Sequence, residues 1–174
     1  MPGATFLEGD SVDLRTVERE DLKFLKELDN NPQVREYVDG DGPANIETEE
    51  EFFEEKIKGN NRIDLLIYAR GEAVGLVNLL SIDKKSGKAG LQVKILPEHR
   101  GKGYAFEACQ LVLRHGFENL RLHRIEASLF EFNEAGRNLL ESLGFKHEGT
   151  HRKEKFKKGE YRDVEYYSIL EDEF

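Results

Sequence analysis

Between Ala89 and Leu120 the spacing of the apolar residues changes once, and the change falls at Arg100-Gly101-Lys102-Gly103-Tyr104-Ala105. Upstream, Ala89-Gly90-Leu91-Gln92-Val93-Lys94-Ile95-Leu96 alternates apolar and polar residues like a strand with one wet face, and Pro97 ends its ladder. Downstream, Ala105, Cys109, Val112, Leu113, Gly116, Phe117 and Leu120 recur at three-to-four spacing, so a helix begins near Gly103 and buries one face. A strand, a glycine turn and a helix in this order require a fold in which sheet and helix pack together. The joint is also suited to an anion. Glycine lets the backbone approach an oxyanion, the first helical turn offers unpaired N–H groups, and the helix dipole favours negative charge there. Arg100 and Lys102 add attraction at short range. A tight turn with no ligand satisfies the same six residues.

Two other phosphate-binding loops fail on detail. A dinucleotide loop would start like Gly101-Lys102-Gly103, with Glu126 at about the distance of a ribose-binding acid. Its third glycine, however, is replaced by Phe106, the preceding strand is amphipathic where a central parallel strand is apolar on both faces, and no second mononucleotide half follows. A P-loop fails because no Lys-Ser or Lys-Thr pair closes the glycine run.

The stretch Arg100-Gly101-Lys102-Gly103-Tyr104-Ala105 resembles the R/Q-x-x-G-x-G/A signature of the GNAT-type N-acetyltransferase superfamily, whose loop holds the pyrophosphate of acetyl-coenzyme A. Asn133-Glu134-Ala135 and Leu139-Leu140-Glu141-Ser142-Leu143-Gly144-Phe145 are similar to the later motif of that family, where an asparagine opens a helix beside the pantetheine arm and a Gly-Phe pair closes it. Val12-Asp13-Leu14-Arg15 with Glu20-Asp21-Leu22, Asn31-Pro32-Gln33-Val34, and Tyr161-Arg162-Asp163-Val164 with Ser168-Ile169-Leu170 resemble the branch that includes ribosomal-protein N-terminal-alanine acetyltransferases. Together these matches span nearly the whole chain.

The order of elements agrees. Ser11 to Val17 reads as a first strand, and Leu22, Leu25 and Leu28 mark a helix that stops at Asn30-Asn31-Pro32. Thr48 and Glu51 are spaced as a capping box for a helix carrying Phe52, Phe53 and Ile57. Ile63 to Ala69 and Ala73 to Ile82 are strands joined at Arg70-Gly71-Glu72, and Lys84-Lys85-Ser86-Gly87 turns into the strand before the glycine loop. A strand near Arg124 to Phe132, a helix from Asn133 to Leu143 capped by Gly144, and a closing pair of strands through Leu170 complete the chain. The expected fold is α/β of the α+β kind, one domain over residues 1–174. The resemblance implies a central, mostly antiparallel, splayed sheet of six to seven strands with about four helices on both faces.

At 174 residues and 38% hydrophobic content the chain is long enough for one core, and no internal repeat or low-complexity linker divides it. No apolar run has membrane-spanning length and no cationic start precedes an apolar segment, so a cytoplasmic protein without membrane contact is expected. The single Cys109 excludes an internal disulfide and falls on the apolar helix face, where it reads as a packing residue. The five histidines are scattered without metal-site spacing, and no metal is expected. Through Lys58 there are 17 acids against 7 bases, and beyond it 18 against 19, so the first third carries essentially the whole net charge of −9. Glu47, Glu49, Glu50, Glu51, Glu54 and Glu55 read as a solvated helix face, and the same acidic segment would attract a cationic acceptor. A polyanion is a poor partner for it, so no nucleic acid is expected. Arg152-Lys153-Glu154-Lys155-Phe156-Lys157-Lys158 is short and interrupted, and reads as a hairpin tip ending in Lys158-Gly159-Glu160.

Acetyl transfer requires a neutral amine, stabilisation of an oxyanion, and departure of a thiolate, with no covalent enzyme intermediate. The resemblance implies that the strand ending Lys94-Ile95-Leu96 splays from its neighbour and binds pantetheine and the thioester carbonyl through its backbone. It also assigns Arg100 through Ala105 to the pyrophosphate and Asn133 to the arm. On the strand after the long helix Glu126, Ser128 and Phe130 share one face. Glu126 is the candidate base with Ser128 beside it, and its alternative is a salt bridge to Arg124 or Arg152; Glu36, Tyr37 and Glu148 are reserves. Leu140 stands where many family members carry a proton-donating tyrosine, and Gly136 where the named branch often has serine. A weak base set suits an α-amine of reference pKa about 7.7–8.0 better than a lysine near 10.4. The reading is therefore transfer from acetyl-coenzyme A to a primary amine, first a protein N-terminus, alternatively a small cationic amine such as a polyamine, an amino acid or an aminoglycoside. A non-catalytic acyl-coenzyme A module is the third reading, and a homodimer is compatible with the family.

Overall fold

Turn chemistry and alternation account for most of the sheet. The computed structural model describes residues 3–40 and 42–174. β3 (Ile63–Ala69) and β4 (Glu72–Asp83) are joined by Arg70 at φ 52° and Gly71 at φ 83°, and β7 (Lys146–Lys157) and β8 (Glu160–Leu170) by Lys158 at φ 55° and Gly159 at φ 80°. Two consecutive positive φ values match the twist of a two-residue hairpin, and glycine supplies the second at least strain. With β1 (Thr5–Glu8), β2 (Asp13–Thr16), β5 (Lys88–Ile95) and β6 (Arg124–Phe130) they form one eight-stranded sheet in the order β1-β2-β3-β4-β5-β6-β8-β7. Every neighbouring pair is antiparallel except β5 and β6.

The sheet is covered on both sides, which is why β3 reads as an almost unbroken apolar run. Leu65, Ile67, Val77 and Leu79 face α4 (Tyr104–Asn119), whose Ala108, Cys109, Val112 and Leu113 are buried, and α5 (Glu134–Ser142) joins this layer through Leu140. Leu66, Leu76 and Leu96 point the other way, into a second core with Leu22, Leu25 and Leu28 of α1 (Leu22–Asn30), Val34 of α2 (Pro32–Arg35) and Phe53. Phe53 follows α3 (Ile46–Phe52) in a π-helical turn over Phe53–Ile57, closed by Lys58 N–H to the Phe53 carbonyl at 3.3 Å.

Several details differ from the sequence reading. The sheet has eight strands because the four-residue, bulged β1 pairs on the edge, and the first expected strand narrows to Asp13–Thr16. The cap of α3 is Asn45, whose side chain accepts the Thr48 N–H at 3.0 Å while Thr48 returns a contact to the Asn45 backbone. Thr48 and Glu51 are therefore inside the helix, and the box lies one turn earlier than expected. The strand ends at Phe130 because the next residues turn into α5, which Asn133 caps from outside; Gly144 follows that helix at φ 94°. Among the described residues no helix is long and apolar enough to cross a membrane.

Candidate active site

β5 and β6 are in register only over Lys88 to Gly90 against Arg124 to Glu126. Beyond that point β5 keeps its bonds to β4 as far as Ile95, and β6 keeps its bonds to β8 as far as Phe130, while the two strands part from each other. Leu91 to Ile95 on one side and Ala127 to Phe130 on the other thus form a wedge inside the sheet.

The wedge opens into a cavity of about 460 Å³. Its walls are Leu91 to Ile95 from β5, Ala127, Ser128 and Leu129 from β6, the loop and first turns of α4, Asn133 with α5, and Val34, Tyr37 and Val38 from α2 and beyond. Gly101 and Gly103 have φ of 75° and 81°, and a Cβ at either would meet nothing within 4 Å. The glycines therefore give the loop its shape and leave its outer face bare. Gly103 is the residue before α4, and the first intrahelical bond is Glu107 N–H to its carbonyl at 3.1 Å. The N–H groups of the turn it opens have no partner within the helix.

Two clamps hold this helix start in place. Arg100 donates from Nε to the Ile95 carbonyl and from Nη2 to the Gln33 carbonyl, both at 3.2 Å, tying the loop to the end of β5 and to α2. Glu107 accepts from the Ser11 N–H at 2.9 Å, from the Asp10 and Val12 N–H groups and from the Ser11 hydroxyl, which fixes α4 to the β1–β2 turn. Partial burial alone would raise the Glu107 carboxyl, but these donors outweigh it and hold the group below its ordinary value.

Of the residues expected from sequence, Lys94, Ile95, Arg100, Gly101, Gly103, Tyr104, Ala105, Asn133 and Ser128 line the cavity. Leu96, Lys102 and Glu126 do not. Leu96 is 4% exposed in the second core, and its N–H is spent on the Val74 carbonyl at 3.0 Å. Lys102 is exposed on the loop, outside the cavity lining. Glu126 lies at the closed end of the wedge opposite Gly90 and accepts from Arg124 Nε at 2.8 Å; Arg124 also pairs with Glu148. The sequence alternative of a salt bridge to Arg124 is the observed arrangement, so two of the four carboxylate and tyrosine candidates neutralise one arginine. Glu36 is likewise ion-paired, to Lys158, and Tyr37 alone of that set reaches the cavity.

Lys94 lines the wedge, and its Nζ is held by Asp29 of α1 at 2.8 Å. Asp29 in turn faces Glu49 of α3, which is 4% exposed rather than part of the solvated face expected for it. Burial first, and the Asp29 charge second, push the Glu49 carboxyl up to about 7.

Asn133 accepts the Gly136 N–H at 2.9 Å, and a Cβ at position 136 would sit 2.6 Å from its Nδ2. A serine there would force Asn133 to turn, so glycine at 136 and the asparagine cap belong together. Leu140 lines the cavity as a purely apolar group, and the hydroxyl-bearing residues of the lining are Tyr37, Tyr104 and Ser128. Cys109 also touches the cavity, but burial pushes its thiol up to about 12, consistent with a packing role. Among the described residues no group of three His, Cys, Asp or Glu side chains is placed to hold a metal ion. Of the wall from Val34 to Val38 the sequence reading names Val34 in a matched segment and Glu36 and Tyr37 as reserve bases, without placing them at the cavity; the local structural signal there is Asn31-Pro32, where the asparagine caps a new short helix by accepting from Gln33 N–H at 3.0 Å.

The family model described as acetyltransferase (GNAT) domain matches residues 11–146. The spermidine N(1)-acetyltransferase of Escherichia coli (strain K12) is 31% identical over 164 residues, 94% of this chain and 88% of that protein. The protein of the same name from Vibrio cholerae is 32% identical over 162 residues, 92% and 94% of the two chains. A crystal structure of spermidine N-acetyltransferase from Vibrio cholerae in complex with CoA and spermine superposes with a TM-score of 0.90 at 31% identity, covering 95% of this chain and 98% of that one.

Proposed function

The chain belongs to the GNAT acetyltransferase family, and from that premise we propose that its acceptor is a primary amine of a small polycation, a polyamine in the first place. The family reaction is transfer of an acetyl group from acetyl-coenzyme A to an amine, and the chain is an N-acetyltransferase. The observation that carries the acceptor is that relatives 31–32% identical over nearly the whole chain are named for spermidine. A protein N-terminus, the first expectation from the sequence, yields to the small-amine alternative.

The residues present fit the cosubstrate, because the bare outer face of Gly101 and Gly103 and the unpartnered N–H groups that follow form an anion cradle without side-chain obstruction. Gly101, Gly103, Tyr104 and Ala105 would hold the pyrophosphate through their backbone, and the wedge walls and Asn133 the arm. When bound, acetyl-coenzyme A supplies a thioester acyl group and a thiol leaving group. The contribution of the chain is to bind, align and keep out water. Val93 to Ile95 offer backbone groups on one wall of the wedge, Ser128 a hydroxyl on the other, and Leu91, Leu129 and Leu140 line the interior with apolar surface.

An alkyl ammonium with a reference pKa of about 10.4 must lose its proton before it attacks. Glu126, Glu148 and Glu36 are each engaged by a cation. With these carboxylates engaged and Tyr37 the one base candidate at the cavity, the proton leaves to solvent through the open side, directly or by way of the Tyr37 hydroxyl, and kcat/KM rises with pH toward the acceptor's own pKa.

The test is thiol release from acetyl-coenzyme A with spermidine, spermine, aminoglycosides and peptides bearing free N-termini, using Gly103→Glu to block the cradle. Release with the polyamines that vanishes in the variant is the expected result. Release with peptides alone would return the acceptor to a protein N-terminus.

A further inference from the structure

Along β7 the side chains alternate, so Lys155 and Lys157 share one face while Phe156, 62% exposed, takes the other and meets Tyr161 edge-on at 5.3 Å. A bulge between His151 and Lys155, secured by Lys153 N–H to Asp163 Oδ1 at 2.9 Å, sets the angle of the tip. The inner face lands on the residues that follow α2. Lys155 Nζ is 3.1 Å from Asp39 Oδ2, Lys157 Nζ donates to the Val38 carbonyl at 2.9 Å, and Lys158 Nζ is ion-paired with Glu36. Lys158 Nζ also stands 4.4 Å from the centre of the Phe132 ring.

These contacts adjoin the cavity. Tyr37 and Val38, between Glu36 and Asp39, form one of its walls, and the Tyr37 ring is 6.0 Å from Phe132, the residue before the lining Asn133. The hairpin thus presents three primary ammonium groups in succession to a carboxylate, a carbonyl, and a second carboxylate with an aromatic face. A linear chain with several ammonium groups is recognised by that same set of groups. We propose that Lys158, with Lys155 beside it, is an internal stand-in for the acceptor, and that a distal ammonium of a bound polyamine replaces Lys158 between Glu36 and Phe132. This rests on the polyamine reading above and assigns the residues that favour a polycation over a simple amine.

The exchange is inexpensive by construction. The side chains of Glu36 and Lys158 are 34% and 40% exposed, and those of Asp39 and Lys155 63% and 36%. Pairs at such exposure contribute less than about fivefold to any equilibrium, so a ligand cation of matching geometry competes with them readily. Lys157 differs, because its partner is a backbone carbonyl, and it keeps the hairpin seated when the other two let go. Arg162, on the same ring at 5.2 Å, is already occupied by Glu160 at 2.9 Å and Glu131 at 3.4 Å.

KM for spermidine and for hexylamine, which has no distal ammonium, is measured by thiol release in the intact protein and in Lys158→Met, Glu36→Gln and Lys153→Met. Lys153 is exposed on the same hairpin and serves as the control for net charge. The expected result is a KM for spermidine about threefold lower in Lys158→Met and about three- to fivefold higher in Glu36→Gln, with Lys153→Met and all hexylamine values unchanged. Asp39→Asn replaces Glu36→Gln if the latter melts early. Unchanged spermidine KM in both Lys158→Met and the carboxylate variant overturns the proposal and leaves the hairpin as a structural pin. An equal shift in Lys153→Met, or for hexylamine, also overturns it, in favour of net charge alone. No thiol release with spermidine from the intact protein, beside release with another acceptor, sinks the polyamine reading itself and the proposal with it.

Discussion

Replacing Glu49 by glutamine should stabilise the protein at high pH and leave it nearly unchanged at low pH. Glu49 is buried on α3 against Asp29, whose carboxylate already holds Lys94 Nζ at 2.8 Å. Its carboxyl is raised from 4.5 to about 7, so the folded state prefers the protonated form, which can donate to Asp29. Below about pH 4.5 the group is protonated in both folded and unfolded chains and costs nothing. Between that pH and about 7 the folded state loses ground steadily, and above it the loss is complete. A rise of that size corresponds to roughly 3 kcal/mol. The amide of Glu49→Gln donates to Asp29 at every pH and carries no charge to bury. Thermal melting of the two proteins at pH 5 and pH 8 is the assay. Agreement within about 1 kcal/mol at pH 5 and a variant melting roughly 6–10 °C higher at pH 8 is the expected pattern for a chain of this length. A Tm difference that is the same at both pH values would refute the reasoning.

Gly103→Ala and Gly71→Ala impose the same left-handed strain, since both positions have φ near 80° and open space where the Cβ would go. Each should lose about 1–2 kcal/mol in urea unfolding, but only Gly103→Ala should raise the KM for acetyl-coenzyme A, and equal KM values in the pair would remove the loop from cosubstrate binding. Glu107→Gln should cost about 1–2 kcal/mol at pH 7, because a half-exposed carboxylate that gathers four donors from the β1–β2 turn is exchanged for a group with one acceptor. Since that carboxyl is held low in the folded state, its contribution is present above about pH 4.5 and fades as acid is added; a cost that persists unchanged at pH 3 would contradict this assignment.

The glycine-loop side of the cavity was legible in the sequence because its signals are local. Positive φ at Gly101 and Gly103, the change of period on either side, and the Asn133 cap all lie within a few residues of the groups they organise. The wall that includes Tyr37 and Val38 was not, because it is assembled from distant segments. Tyr37 reaches the cavity through the packing of α2, and Glu36 meets Lys158 across 122 residues of sequence. Glu126 lies on β6, which forms one wall of the wedge, yet the strand's register puts it where the wedge is still closed, next to an arginine two residues away. Periodicity gives the face of a residue and says nothing of its depth along a diverging pair. Likewise the acidic run from Glu47 to Glu55 gave no hint that Glu49 alone of its six carboxylates turns inward, since one buried acid in six leaves little trace in a charge pattern.

The parting of β5 from β6 places two strand edges in the middle of a sheet. An open edge on the outside of a protein invites other chains to add to it and is a standing aggregation hazard. Here the free edges face each other across a narrow gap, shut at Gly90 and Glu126 and walled by helices on either side. Backbone groups of Leu91 to Ile95 and of Ala127 to Leu129 that a neighbouring strand would otherwise engage therefore border a cavity of about 460 Å³. The fold thus carries strand edges turned inward, within the molecule, where an outer edge would leave them open to pairing with another chain.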